Sequence, residues 1–201
     1  MDNLPQVSGE KTLWNDLCPS AQALEIAEYA SHKEGVTLVV VPTSAEASRL
    51  KRSISFFLKD CPIDARIFPD WETLAYDVFS PHQDIISDRI QTLSELPQLE
   101  HGVLIVPLPS LLHRLPPTDY LASRLFDYEV DEILDRDKLN EQLVRASYHR
   151  VDTVYEHGEY AFRGSIIDIF PMGEDAPFRI DLLDSEIESL RIFDPETQRT
   201  I

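Results

Sequence analysis

Two short apolar runs limit this chain more than any other feature. Val36-Thr37-Leu38-Val39-Val40-Val41 and Val103-Leu104-Ile105-Val106 are unbroken, largely β-branched stretches. Each follows a glycine, Gly35 or Gly102, and each is closed by a proline, Pro42 or Pro107. A strand with one wet face alternates apolar and polar residues. A strand without alternation predicts burial on both faces, as in a parallel sheet covered by helices. The segments around these runs carry helical spacing. Ser20 predicts a cap ahead of Ala23, Leu24, Ala27 and Tyr29, and Ser44 starts a helix with Ala47, Leu50, Ile54 and Phe57. Arg66-Ile67-Phe68 reads as a short strand, and Asp84 opens a helix bearing Ile86, Ile90 and Leu93. This alternation predicts an α/β domain with a parallel sheet.

The stretch Leu115-Pro116-Pro117-Thr118 closes that region. Consecutive prolines remove backbone donors and bias the preceding residue away from helix, which makes this the strongest boundary signal in the chain. The expected division is residues 1–120 and residues 121–201. In the second part, Asp135 or Asp137 caps a helix with Leu139, Leu143 and Ala146 as its apolar stripe. Short β-patterned segments follow, punctuated by Gly158, Gly164, Gly173 and Pro177. Phe178, Ile180 and Leu182 alternate with Arg179, Asp181 and Leu183. Asp184-Ser185-Glu186 makes a polar turn, and Ile187 to Phe193 returns as a partner strand. The prediction is an antiparallel meander with one helix packed on it, an α+β domain.

Charge and chemistry remove several functions. With 36 acidic against 18 basic residues the formal net charge is -18, which opposes broad binding to a nucleic-acid backbone. The helix start Leu17-Cys18-Pro19-Ser20-Ala21-Gln22 has neither Gly nor Lys, and Pro19 lacks an N–H, so it does not form a phosphate loop. The histidines at 32, 82, 101, 113, 149 and 157 show no close helical pairing of the kind that binds zinc. His157-Gly158 reads as a turn with a polar side chain. Asp181, Asp184, Glu186 and Glu188 divide between strand faces and a turn, which predicts a solvated hairpin end rather than a metal site. Cys18 and Cys61 lack any CxxC spacing and read as free thiols of a reducing compartment. Met1-Asp2-Asn3-Leu4-Pro5 has no basic region leading into an apolar run, and no apolar stretch reaches membrane-spanning length, so a cytoplasmic location without membrane association is expected. No catalytic, cofactor-binding or metal-binding residue is expected in the chain.

What the pattern does offer is a surface between Glu159 and Phe193. Period-2 geometry puts Phe178, Ile180 and Leu182 on one face, toward the helix of Leu139 and Leu143. Arg179, Asp181 and Leu183 share the opposite face. An outward Leu beside an Arg combines apolar area with bidentate donors for a carboxylate, a combination common in interfaces. Arg163, ahead of Gly164, joins this surface if its strand neighbours that one. An ordinary solvent face with one exposed Leu is the competing reading.

Several segments resemble a known family. They are Phe68-Pro69-Asp70-Trp71-Glu72-Thr73-Leu74-Ala75-Tyr76-Asp77 and Phe79-Ser80-Pro81-His82-Gln83-Asp84-Ile85-Ile86-Ser87-Asp88-Arg89, then Gly102 to Pro107 and Glu156-His157-Gly158-Glu159-Tyr160. Arg163-Gly164, Ile167-Asp168-Ile169-Phe170-Pro171-Met172-Gly173 and Asp184 to Asp194 complete the set. From about Val36 onward the chain resembles the N-terminal, UvrB-like region of the bacterial transcription-repair coupling factors (Mfd). The resemblance implies a degenerate RecA-like α/β domain followed by a small α+β domain that binds the excision-repair protein UvrA. It implies that Arg163 and Arg179 contact UvrA, together with Leu183, where the family has Phe, and with Gly164 and Asp181 beside them. ATP and magnesium are expected only in motor domains of the full-length protein. RNA polymerase and DNA are expected to be bound through domains outside this chain, and another domain of the full-length protein is expected to cover the UvrA surface until the motor engages. The chain lacks the intact phosphate loop of UvrB, and Val78 to Asp88 is too short for UvrB's DNA-clamping hairpin. The remaining alternatives are a nucleotide-dependent helicase fragment and a DNA-binding module.

Overall fold

The computed structural model describes residues 9, 11–73, 80–117 and 128–201. Among these, the elements in chain order include α1 (Pro19–His32), β1 (Gly35–Val41), α2 (Ser44–Phe57), β2 (Ala65–Ile67), α3 (Gln83–Glu95), β3 (His101–Pro107), α4 (Leu108–Leu111), α5 (Arg136–Arg145), β4 (His149–Arg150), β5 (Glu159–Arg163), β6 (Ile166–Ile169), β7 (Phe178–Leu183) and β8 (Glu186–Ile192). They form two compact units, Met1–Asp70 with Pro97–Arg114, and Trp71–Leu96 with Leu115–Ile201.

The first unit holds a parallel sheet in the order β1-β3-β2. Ala23, Ala27 and Ala30 of α1 and Ala47 and Ile54 of α2 pack with Val41, Ala65, Val103 and Ile105 of the sheet. Small side chains on the helices allow a close approach to the β-branched surface. The sequence reading holds for β3, whose residues from Gly102 to Pro107 are all buried. It fails for β1. That strand lies at the edge, and Leu38 and Val40 remain 56% and 47% exposed. An apolar run reports composition, whereas burial on two faces depends on a strand's place in the sheet order. The first helix also starts earlier than expected. Pro19 occupies its first turn, Cys18 is the N-cap without a side-chain bond, and Ser20 is already helical. For α2 the cap is Thr43, whose Oγ1 accepts from the Glu46 N–H at 3.2 Å.

The second unit is a five-stranded sheet in the order β4-β5-β6-β7-β8, parallel at β4/β5 and antiparallel elsewhere. One face is apolar. Leu139 and Leu143 of α5 pack with Tyr160, Ile167, Ile169, Ile180, Leu182 and Ile187. The helix is started by Asp135, whose Oδ1 accepts from the N–H groups of Asp137 and Lys138 at 3.1 and 3.2 Å.

Helix α3 clusters with this second unit, although its apolar pattern and its position before residue 120 suggested the first. Its bonds are polar. Ser87 Oγ accepts from the Gly173 N–H at 2.8 Å, and Asp84 Oδ1 lies 3.1 Å from His157 Nδ1. The Arg89 guanidinium sits 4.1 Å from the centre of the Trp71 ring. Ser87, Arg89 and Thr92 are consequently the buried residues of α3, while Ile86, Ile90 and Leu93 are half-buried. A count of apolar spacing has no means of anticipating that face.

Candidate partner-binding surface

The sheet face opposite α5 is organised around one buried carboxylate. Strands β6 and β7 set Asp168 directly across from Arg179, and β8 sets Arg191 across from Arg179 on the other side. Ala161 stands across from Asp168 on β5. The four residues form one row across the sheet, because cross-strand partners project to the same face. The next row contains Arg163, Ile166, Asp181 and Ser189.

Asp168 is 0% exposed. A buried carboxylate is tolerated only when its oxygens are satisfied. Here Arg179 grips both oxygens, Nε to Oδ1 at 2.7 Å and Nη2 to Oδ2 at 3.0 Å. Arg163 Nη2 donates to Oδ2 as well. Arg179 is further tied by Nη1 to the Gln198 carbonyl at 3.3 Å, and its guanidinium lies 4.6 Å from the centre of the buried Phe193 ring. The hydrogen bond to Asp168 is the main reason that the Arg179 pKa is raised above the usual arginine value, with burial opposing it. The Arg179 side chain is 14% exposed, against 42% for Arg163.

The structure therefore brings Arg163 and Arg179 together, but not as neighbouring strands would. Strands β5 and β7 each pair with β6, which lies between them, and Asp168 is the bridge. Gly164 occupies the first position of the two-residue β5–β6 turn with φ +60°, a conformation that glycine adopts without steric penalty. Its carbonyl accepts from Arg136 Nη1 at 2.6 Å. Asp181 accepts from Ser189 Oγ at 3.1 Å on the same face. A register shift follows at Asp181/Leu182, and Leu183 stands 65% exposed at the end of the strand.

Two members of this surface stand in the sequence reading only as parts of longer motifs and are not singled out there as site residues. Asp168 lies inside Ile166-Ile167-Asp168-Ile169, where it reads as an apolar strand with one interruption. The usable signal was that a lone acid alternating with core isoleucines must face away from the core, toward any arginine across the strand. Arg191 is exposed and makes no side-chain hydrogen bond or ion pair among the described residues, despite standing opposite Arg179. Three guanidinium groups thus meet two carboxylates, Asp168 and Asp181, on one face of a strongly acidic chain.

The other residues singled out by sequence have structural settings. His157 Nε2 lies 2.9 Å from the Glu174 carbonyl, and its ring lies 4.0 Å from that of Phe170, beside Gly158 at φ +79°. No group of three or more His, Cys, Asp or Glu side chains among the described residues is arranged to hold a metal ion. No described helix is long and apolar enough to cross a membrane. Residues 74–79 of the aromatic motif, like residue 118 of the boundary segment, lie outside the described residues.

Comparison with known proteins agrees with this architecture. Residues 126–201 match the UvrB interaction domain. The chain is 44% identical to the transcription-repair-coupling factor of Escherichia coli (strain K12) over 198 residues, 98% of this chain and 17% of that protein. It is 41% identical to the corresponding factor of Haemophilus influenzae over 199 residues, 99% of this chain and 17% of that protein. For the factor of Staphylococcus aureus (strain USA300) the identity is 36% over 200 residues, with 98% of this chain and 17% of the relative covered. The stretch of this chain that carries α5 and the helix-backed meander is thus the part similar to the UvrB interaction domain. Over nearly its whole length the chain is similar to the transcription-repair-coupling factors, and it spans about one sixth of their length.

Proposed function

We propose that the outer face of the β5–β8 meander docks the excision-repair protein UvrA, and that the chain is a non-catalytic recruiting region of a transcription-repair coupling factor. In this reading the factor's other domains engage lesion-stalled RNA polymerase, and this region delivers the repair partner. The observation that carries the proposal is the exposed Arg163 sharing buried Asp168 with the largely buried Arg179, with Leu183 open at the end of β7. Arginine is among the side chains enriched at the energetic centres of interfaces, where its planar fork binds carboxylates bidentately.

The test is a titration of purified UvrA with the wild-type chain and with Arg163→Ala/Arg179→Ala, alongside ATP and duplex DNA. The proposal expects UvrA binding that the double substitution weakens at least tenfold. Wild-type binding that the substitutions leave untouched overturns the assigned surface. Tight ATP binding favours a helicase fragment, and salt-dependent DNA binding favours a nucleic-acid module.

A further inference from the structure

We propose that Asp168 is the positioning residue of this surface, holding Arg163 and Arg179 in one pose so that their unspent N–H groups, with the free guanidinium of Arg191, receive a carboxylate-bearing segment of the partner. This inference rests on the docking reading above and specifies the chemistry of the contact.

The reasoning begins with donors and acceptors. A guanidinium has five N–H donors. Arg179 uses three of them, two on Asp168 and one on Gln198, which leaves two. Arg163 spends only Nη2 on Asp168, and Arg191 spends none among the described residues. A long arginine in water samples many rotamers, and fixing it on a partner forfeits that freedom. Asp168 removes the freedom in advance. Its backbone is locked in β6 between β5 and β7, and both of its oxygens are engaged. The face contains a second acid, Asp181, which is occupied by Ser189. Asp168 is thus taken up by the two arginines, and the donors left over, hydrated in the free chain, are open to an acceptor from outside. Arg191 stands directly opposite Arg179 in the register of β7 and β8, so an anion docked there meets a second guanidinium group.

The same geometry admits a merely structural role, in which Asp168 only holds three strands together. Two readouts separate the two roles. The first is UvrA affinity of Asp168→Asn, an isosteric change that removes the negative charge, measured in the wild-type background and in Arg163→Ala/Arg179→Ala. Positioning predicts a loss of tenfold or more in the wild-type background and less than twofold when both arginines are already gone. An equal loss in both backgrounds, or no loss in either, overturns the proposal. The second readout needs no substitution and no partner. Side-chain ¹⁵N spectra of the wild-type chain should show the Arg163 and Arg179 guanidinium groups with slow rotation and slowed exchange, and that of Arg191 averaged. Freely rotating Arg163 and Arg179 overturn the proposal even if Asp168→Asn fails to fold. Absence of UvrA binding by the wild type removes the docking reading, while the spectra still decide whether Asp168 holds the arginines.

Discussion

In the parallel unit, helices meet the sheet through Ala23, Ala27, Ala30, Ala47 and Ile54, and the cluster they form is entirely apolar. The meander unit has an apolar cluster as well, under α5, but on its other face it buries a carboxylate between two arginines. Its α3 likewise buries Ser87, Arg89 and Thr92. A buried ion pair is a weak way to gain stability, because desolvation offsets most of the attraction. The parallel unit shows that this chain builds a core without one. Under the reading proposed above, the charge cluster of the meander serves recognition, a role that the apolar core of the parallel unit does not carry.

The largest effects expected come from the two apolar cores, and they separate the units. Ile54→Ala and Ile167→Ala each remove a fully buried side chain and should destabilise by about 2–5 kcal/mol, read from urea unfolding. Under conditions where both variants remain folded, Ile54→Ala should leave UvrA affinity within about twofold, the scatter of a remote substitution. A large loss of binding from Ile54→Ala would break the division of labour between the units. Arg179→Ala comes next, and it is no ordinary surface change. It strips Asp168 of its bidentate partner and should lower stability by about 1–3 kcal/mol in addition to weakening the complex. Urea midpoints for Arg179→Ala and for Arg179→Ala/Asp168→Ala check this, with the double variant recovering part of the loss. Thr43→Ala, which deletes the cap of α2, should cost about 1 kcal/mol and leave binding unchanged.

The smallest expected effect is in acid. Backbone N–H groups of Lys138 and Thr197 are the main cause that lowers the pKa values of Asp135 and Asp194. A carboxyl group with a depressed folded-state pKa stabilises the protein above its unfolded value, and that contribution fades as pH falls through the folded value. Asp135 is exposed and Asp194 half-buried, so the change should be a shallow decline in melting temperature below about pH 4, flattened in Asp135→Asn/Asp194→Asn.

Much of this surface was legible before any coordinates. Strand alternation assigned Arg179, Asp181 and Leu183 to one face, and the Gly164 turn marked Arg163. What the pattern could not convey was their connection. Pairing of Asp168 with Arg179 depends on register between β6 and β7, and Arg163 reaches the same carboxylate only because β6 lies in the middle. Arg191 was hidden by the register shift at Asp181/Leu182, which sets how β8 runs against β7. In the parallel unit the same limit appears at Leu38 and Val40, which are exposed because β1 is an edge strand. Local sequence reports which residues prefer a strand. Partners and place in the sheet are long-range properties.

Arg163 offers the most direct test, because removing it leaves both Asp168 oxygens on Arg179 and so perturbs the fold least. Calorimetric titration of UvrA into wild type and Arg163→Ala, with melting curves for each, decides the matter. The account predicts binding weakened by about 1–3 kcal/mol with the melting temperature nearly unchanged. Equal affinity for the two proteins would contradict it.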